Sequence, residues 1–246
     1  MNPGNLYLIP TTLADLKAEA SVGLVDWSLP GQVRSTAASL GCFAVENAKS
    51  ARAFLKMIGI ERPMQELEIV EVGHQPQDDT LKPLVGKLLG GINVGVLVEA
   101  GCPGVADPGA QLARLAHAAG IRVIPLTGPS SLMLALMASG LDGQRFAFGG
   151  YAPVKSPLRE AFIKKLEARS RRESETQLLI ETPYRNVALW GALLTTLQEQ
   201  TRLTRAIALT LPQESVLTRT VAEWRRAPDP SAAFDKQPAV FLFLAC

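Results

Sequence analysis

An α/β chain of two domains is predicted by three features of the sequence. Short apolar, β-branched runs alternate with segments of helical spacing along the whole length. In the first half these runs are apolar throughout rather than alternating in polarity, as in a parallel sheet covered on both faces. In the second half the last runs crowd too closely for parallel crossovers, which need a dozen or more residues, so a mixed sheet is expected there.

The first-half strands are read at Leu6–Ile9, Cys42–Val45, Glu68–Val72, Val94–Val98 and Arg122–Leu126. Helical segments fall between them at Ala48–Ile58, Asp79–Leu89 and Gly109–Ala119. In the last of these, Leu112, Leu115, Ala116 and Ala119 recur at helical spacing. The pattern changes after residue 126. Thr127-Gly128-Pro129-Ser130-Ser131 reads as a turn, with Ser130 or Ser131 suited to cap an apolar helix over Leu132–Ala138. Strands follow at Phe146–Phe148, Gln177–Glu181, Ala206–Thr210, Val216–Thr220 and Ala239–Leu244. The expected domains are therefore residues 1–126 with a mainly parallel sheet and 127–246 with a mixed one.

The 246 residues are 47% hydrophobic and 20% charged, enough to fill a sizeable core. No apolar run reaches the roughly 18 residues of a membrane-spanning helix. The opening residues lack the basic and apolar stretches of a secretory signal, so a soluble, cytoplasmic protein is expected. Cys42, Cys102 and Cys246 are far apart and form no CxxC pair, and His74 and His117 are the only histidines. A metal site or disulfide framework is not expected. The formal net charge of +2 demands no polyanionic partner. The basic residues nevertheless gather at Arg159, Lys164, Lys165, Arg169, Arg171 and Arg172, a pattern open to either a solvated helix face or a nucleic-acid-facing patch.

The turn after the first strand, Leu8-Ile9-Pro10-Thr11-Thr12-Leu13, contains no glycine. That excludes the GxGxxG of dinucleotide enzymes and of the common methyltransferase fold, and no GxxxxGK[ST] occurs anywhere. The segment Val98-Glu99-Ala100-Gly101-Cys102-Pro103-Gly104-Val105-Ala106-Asp107-Pro108-Gly109 is more informative. Its three glycines and two prolines impose an unusual backbone at the carboxyl end of a strand, where open α/β sheets bind ligands. A tight connection with Asp107 as a helix cap would need fewer of them, so ligand binding is the expectation. Glu181-Thr182-Pro183-Tyr184-Arg185 follows another buried strand, with Glu181 either facing a ligand or accepting from loop amides. Glu46-Asn47-Ala48-Lys49-Ser50 ends a strand, and His74 lies in a polar loop. His117, in an alanine-rich helix, reads as structural.

Gly101 with Pro103, Asp107-Pro108-Gly109, Ala119-Gly120-Ile121-Arg122-Val123, Gly128-Pro129 and Arg145-Phe146 occur in an order and spacing that resemble the tetrapyrrole methylase superfamily. Within it, the resemblance is to the branch of the ribosomal RNA small-subunit methyltransferases I, which methylate a ribose 2′-hydroxyl. It implies a homodimer of two-domain subunits with S-adenosyl-L-methionine between the domains. The cofactor contacts it implies fall on Pro10, on Glu99, Ala100, Gly101, Cys102, Pro103 and Val105, on Ser130 and Ser131, on Glu181 and Thr182, and on Leu211 and Pro212. The chain departs from that branch at several points. Its PTPIGNL reads Pro10-Thr11-Thr12-Leu13-Ala14-Asp15-Leu16 here, and its EDTR reads Glu46-Asn47-Ala48-Lys49. Its SDAGTP reads Val98-Glu99-Ala100-Gly101-Cys102-Pro103, its HN pair His74-Gln75, and its REL Pro212-Gln213-Glu214.

Methyl transfer to a ribose hydroxyl benefits from a general base, and Glu46, Asp107 and His74 are the candidates. Glu99 reads rather as a residue that orders the loop. Ribosomal RNA or the small ribosomal subunit is the partner this reading implies. A small-molecule substrate such as a tetrapyrrole, or a non-catalytic module that only binds S-adenosylmethionine, are the alternatives.

Overall fold

The computed structural model describes residues 2–13, 21–107, 109–228, 234 and 236–245. Pro108, Ala14-Asp15-Leu16 and Cys246, which the sequence reading used, lie outside the described residues. The chain divides into two compact units, Met1–Ser130 and Ser131–Cys246.

In the first unit, strand β1 (Leu6–Ile9) leads to helices α1 (Ser21–Ser28) and α2 (Gly31–Ser39) and to β2 (Cys42–Val45). Then come α3 (Ala48–Met57), β3 (Glu68–Glu71), α4 (Asp78–Leu89), β4 (Val94–Leu97), α5 (Gly109–Ala118) and β5 (Val123–Pro125). The order β3-β2-β4-β1-β5 is parallel throughout. All four residues of β2 and of β4 are buried, which is why these runs are apolar without alternation. One side of the sheet carries Ile9, Phe43, Val45, Phe54 and Leu55, and the other carries Leu6, Ala44, Leu84, Leu88, Val96 and Leu112. Burying a side chain of the size of Phe43 or Leu88 contributes roughly 1.5–3 kcal/mol. Gly95 is required at the centre of β4, where a Cβ would lie 2.7 Å from Ile9 and 2.9 Å from Phe43.

Helices α1 and α2 were not anticipated. In α2 only Val33 and Ala37 are buried, one pair four residues apart, too little apolar periodicity to stand out in the sequence.

The second unit opens on α6 (Ser131–Ser139), β6 (Phe146–Tyr151), α7 (Ser156–Glu173) and β7 (Thr176–Glu181). It continues with α8 (Asn186–Thr196), β8 (Arg202–Ile207), β9 (Ser215–Thr220), α9 (Val221–Arg226) and β10 (Ala239–Leu244). The sheet order is β6-β7-β10-β8-β9, parallel between β6 and β7 and antiparallel elsewhere, so the sheet is mixed. Trp190, Trp224, Phe234 and Phe241 form its aromatic centre, with the Trp190 and Trp224 rings 5.0 Å apart edge to face.

One strand departs from its expected span. The run read as Ala206–Thr210 pairs over Arg202–Ile207 instead. Ala208 and Thr210 take φ values of 52° and 71°, which break the ladder whatever their apolar or β-branched character. Among the described residues no helix is long and apolar enough to cross a membrane.

Candidate functional site

The glycine- and proline-rich segment after β4 is held in one shape by its own aspartate. Asp107 Oδ1 accepts from the amides of Gly104 (2.9 Å) and Gly109 (2.6 Å), and its Oδ2 accepts from Val105 (3.0 Å). Gly101, Gly104 and Ala106 adopt φ of 78°, 88° and 64°, a region open to glycine and unfavourable to alanine. Both Asp107 oxygens are thus engaged by backbone N–H groups, which suits a loop lock more than a proton acceptor.

The loop is also joined to the turn after β1. Thr11 donates its amide to Gly101 O (3.0 Å) and its hydroxyl to Val98 O (3.2 Å). Gly128 comes so close to Pro10 that a Cβ there would lie 2.2 Å from the Pro10 Cβ. The Cys102 thiol donates to Pro129 O at 3.3 Å, and burial, then the Asp107 carboxylate, push that thiol above its usual range. Pro10, Gly101 to Pro103 and Gly128 to Pro129 therefore form one packed layer. Glu99, Ala100 and Val105 are exposed on it.

Beside this layer, Glu46 at the end of β2 makes two contacts. Its Oε2 accepts from the Glu99 amide (3.1 Å), and its Oε1 lies 2.6 Å from His74 Nδ1. The Glu46 side chain is 11% exposed and that of His74 is 81% exposed, so a half-hidden carboxylate orients a ring open to solvent. Ser50 Oγ reaches Glu99 Oε1 at 3.4 Å. An apolar crevice lined by Ala44, Val72, Leu81, Val96, Gly109 and Leu112 runs beneath Glu46. Asn47 caps α3, accepting from the Lys49 and Ser50 amides. An aspartate would cap in the same way, so the Asn in place of Asp keeps the local structure.

In the second unit, the carboxyl ends of β7 and β8 flank Ala239, which pairs with Glu181 on one side and Ile207 on the other. Glu181 Oε1 accepts from the Thr182 amide (2.7 Å) and from Arg185 Nε (2.9 Å). Of the two roles left open for Glu181, the buried acceptor is the one observed; its carboxylate is occupied locally. Leu211 and Pro212 lie in the strained turn after β8, where Glu214 Oε2 accepts from the Thr210 amide (2.7 Å). A β-branched residue at positive φ is costly, and such strain clusters at ligand-binding positions. Ser131 opens α6, and Ser130 ends the first unit.

The first unit thus brings together Pro10, the Glu99–Val105 segment, Asp107, Glu46 and His74. The second gathers Glu181, Thr182, Leu211 and Pro212 around the start of β10. Sequence reasoning missed Thr11 and Ser50; a hydroxyl bonding 87 positions away leaves no local trace. His117 lies exposed in α5. Among the described residues no group of three or more His, Cys, Asp or Glu could hold a metal ion.

No family model matches the chain. It is 32% identical over 184 residues to the ribosomal RNA small subunit methyltransferase I of Xylella fastidiosa, covering 74% of this chain and 60% of that protein. To the protein of the same name from Synechocystis it is 30% identical over 203 residues, covering 82% and 66%. The chain thus spans about 60% of the length of the curated relatives it matches. Among solved structures, the methyltransferase CobJ matches with a TM-score of 0.60 at 16% identity, over 99% of this chain and 95% of that one. The uroporphyrin-III C-methyltransferase of Thermus thermophilus, solved with S-adenosylhomocysteine, matches with a TM-score of 0.52 at 17% identity, over 98% and 97%. The solved structures share the fold with this chain, and the curated relatives are similar to it in sequence. In sequence the chain belongs with the ribosomal RNA small subunit methyltransferases I, and its fold is the one these solved methyltransferases share.

Proposed function

We propose that this protein is a methyltransferase that uses S-adenosyl-L-methionine and acts on a ribose hydroxyl of ribosomal RNA. One observation carries the reading: the Glu46 carboxylate bridges His74 and the first residue of the locked loop, which supports a proton-accepting role for this pair. The residues present fit a nucleoside with an amino-acid tail. Ala100 is exposed, and none of the hydrogen bonds among the described residues engages its amide. The Thr12 hydroxyl, only 2% exposed, is buried without a partner among them.

When bound, S-adenosylmethionine supplies a methyl group on a positively charged sulfur. The loop from Glu99 to Val105, with Pro10 and Ser130 beside it, would hold that group. In the second unit, Ser131, Thr182, Leu211 and Pro212 are the residues that the family resemblance assigns to the cofactor, and there Glu181 braces Thr182 and Arg185. Holding donor and acceptor at near-attack distance accounts for the larger share of the acceleration, on the order of 7–11 kcal/mol in favourable cases.

The proton is handled by His74 and Glu46. With Nδ1–H donating to Glu46 Oε1, the neutral ring presents its Nε2 lone pair to solvent, and Nε2 takes the proton of the attacking hydroxyl. Glu46 then stabilises the imidazolium. Asp107, a third candidate for the base, is assigned to the loop instead, because three amides already occupy it.

The same reading makes the protein a cytoplasmic homodimer, which sedimentation at micromolar concentration tests. The function is tested with labelled S-adenosylmethionine, offered with immature small ribosomal subunits and, separately, with a cell extract freed of nucleic acid. Label in the ribosomal RNA is the expected outcome. Label only in the extract means a small-molecule acceptor, and no calorimetric binding of the donor at millimolar concentration means no methyltransferase.

A further inference from the structure

Part of the basic cluster that stands out in the sequence is paired within the fold. On α7, Arg169 pairs with Glu175, Arg172 with Glu173, and Arg171 bonds Gln198. Two further cations without a carboxylate partner among the described residues lie on the sheet of the same unit. Arg205 of β8 and Arg219 of β9 belong to paired strands in which Leu203 faces Arg219 and Arg205 faces Leu217. They are therefore diagonal neighbours on one face of the sheet. Both guanidiniums stack on one indole: Arg205 lies 5.4 Å and Arg219 5.0 Å from the centre of the Trp224 ring. The indole cannot turn away, because its Nε1 donates to Leu203 O at 2.8 Å.

This arrangement is incomplete as it stands. Arg205 Nε and Nη1 are buried and have no hydrogen-bond partner. Burial, and then the charge of Arg219, press the Arg205 pKa below its ordinary value. Neither arginine makes an ion pair with a carboxylate among the described residues; Glu223, which feels the charge of Arg219, is engaged by Thr220. Trp224 offsets part of the repulsion through its face but supplies no acceptor for the fork of N–H groups. A phosphate resting on the exposed Arg219 supplies what is missing, negative charge shared by the two guanidiniums.

We infer that Arg205 and Arg219, stacked on Trp224, form a binding site for a backbone phosphate of RNA. The choice of RNA as the source of the phosphate rests on the function proposed above; the site itself rests on the two unpartnered guanidiniums.

The test is the salt dependence of binding to a labelled single-stranded oligoribonucleotide, followed by fluorescence anisotropy between about 50 and 200 mM salt. Each phosphate contact contributes about 0.7 to the slope of log K against log salt for a single strand. Arg219→Ala, at an exposed position, should lower that slope by about this amount and weaken binding several-fold, while Arg219→Lys keeps the slope. Arg205→Gln should lower it likewise; its melting midpoint is measured beside it, and Arg219→Ala decides the matter if Arg205→Gln does not fold. An unchanged slope in Arg219→Ala overturns the inference. So does a site that inorganic pyrophosphate fills while RNA does not compete, since the ligand would then be free phosphate. Calorimetry of S-adenosylmethionine separates the two readings: absent donor binding in the wild type refutes the methyltransferase and leaves the slope comparison intact.

Discussion

Replacing Asp107 by alanine tests whether the loop after β4 is preorganised. The carboxylate accepts from the amides of Gly104, Val105 and Gly109. A hydrogen bond to a charged group contributes about 1.5–3 kcal/mol when shielded, and about 0.5–1 where water can replace it. Gly104 and Val105 donate at exposed positions and Gly109 at a half-buried one, so the loss sums to about 2.5–5 kcal/mol of loop order. If half of that must be regained on binding, the Kd for S-adenosylmethionine rises by about one to two orders of magnitude, at 1.4 kcal/mol per tenfold. Asp107→Asn keeps the acceptor shared by Gly104 and Gly109 and sets an NH2 against the Val105 N–H, so a smaller loss is expected. Isothermal calorimetry with the donor reads the effect, and circular dichroism checks that the fold persists. A Kd for Asp107→Ala within about threefold of the wild type, with the fold intact, would refute the reasoning.

His74→Ala should lower kcat by about 10²–10⁴-fold and leave donor binding unchanged; equal losses in binding would mean that His74 only shapes the site. Gly128→Ala places a methyl 2.2 Å from Pro10 and should cost about 1–3 kcal/mol or more, seen as a lower melting midpoint. Glu167 is buried and accepts from the Gln198 amide and the Thr201 hydroxyl, so Glu167→Ala should cost about 2–4 kcal/mol in urea unfolding. Burial, and then Glu68, raise the Cys42 thiol from 9.0 to about 11. Because the unfolded thiol ionises first, the unfolded state binds fewer protons above pH 9, and stability falls as pH rises. At about 1.4 kcal/mol per pH unit, the loss between pH 9.0 and about 11 approaches 3 kcal/mol, and Cys42→Ser should flatten that part of the curve.

Much of the fold was legible because its cause is local. Residues 42–45 and 94–97 are apolar throughout since both faces of a central parallel strand are covered. The turn between β8 and β9 is too short for a crossover, so antiparallel pairing followed. Glycines and prolines marked the loop after β4, since few residues tolerate its backbone. By contrast, α2 escaped notice because only two of its residues are buried. The strand at Arg202–Ile207 was displaced because nothing in the composition of Ala208 and Thr210 announces positive φ.

The sequence by itself determined the α/β class, the parallel and mixed sheets, the position of the glycine- and proline-rich loop and the family, all of which rest on patterns legible along the chain. Only the tertiary structure decided what each titratable group does. It joined Glu46 to His74 across 28 positions, occupied Asp107 with three amides and Glu181 with Arg185, paired Arg169 and Arg172 of α7 with carboxylates and left Arg205 Nε and Nη1 without an acceptor. The reason is physical: apolar periodicity is a property of neighbours along the chain, whereas the state of a charge depends on which partners folding brings within a few ångströms.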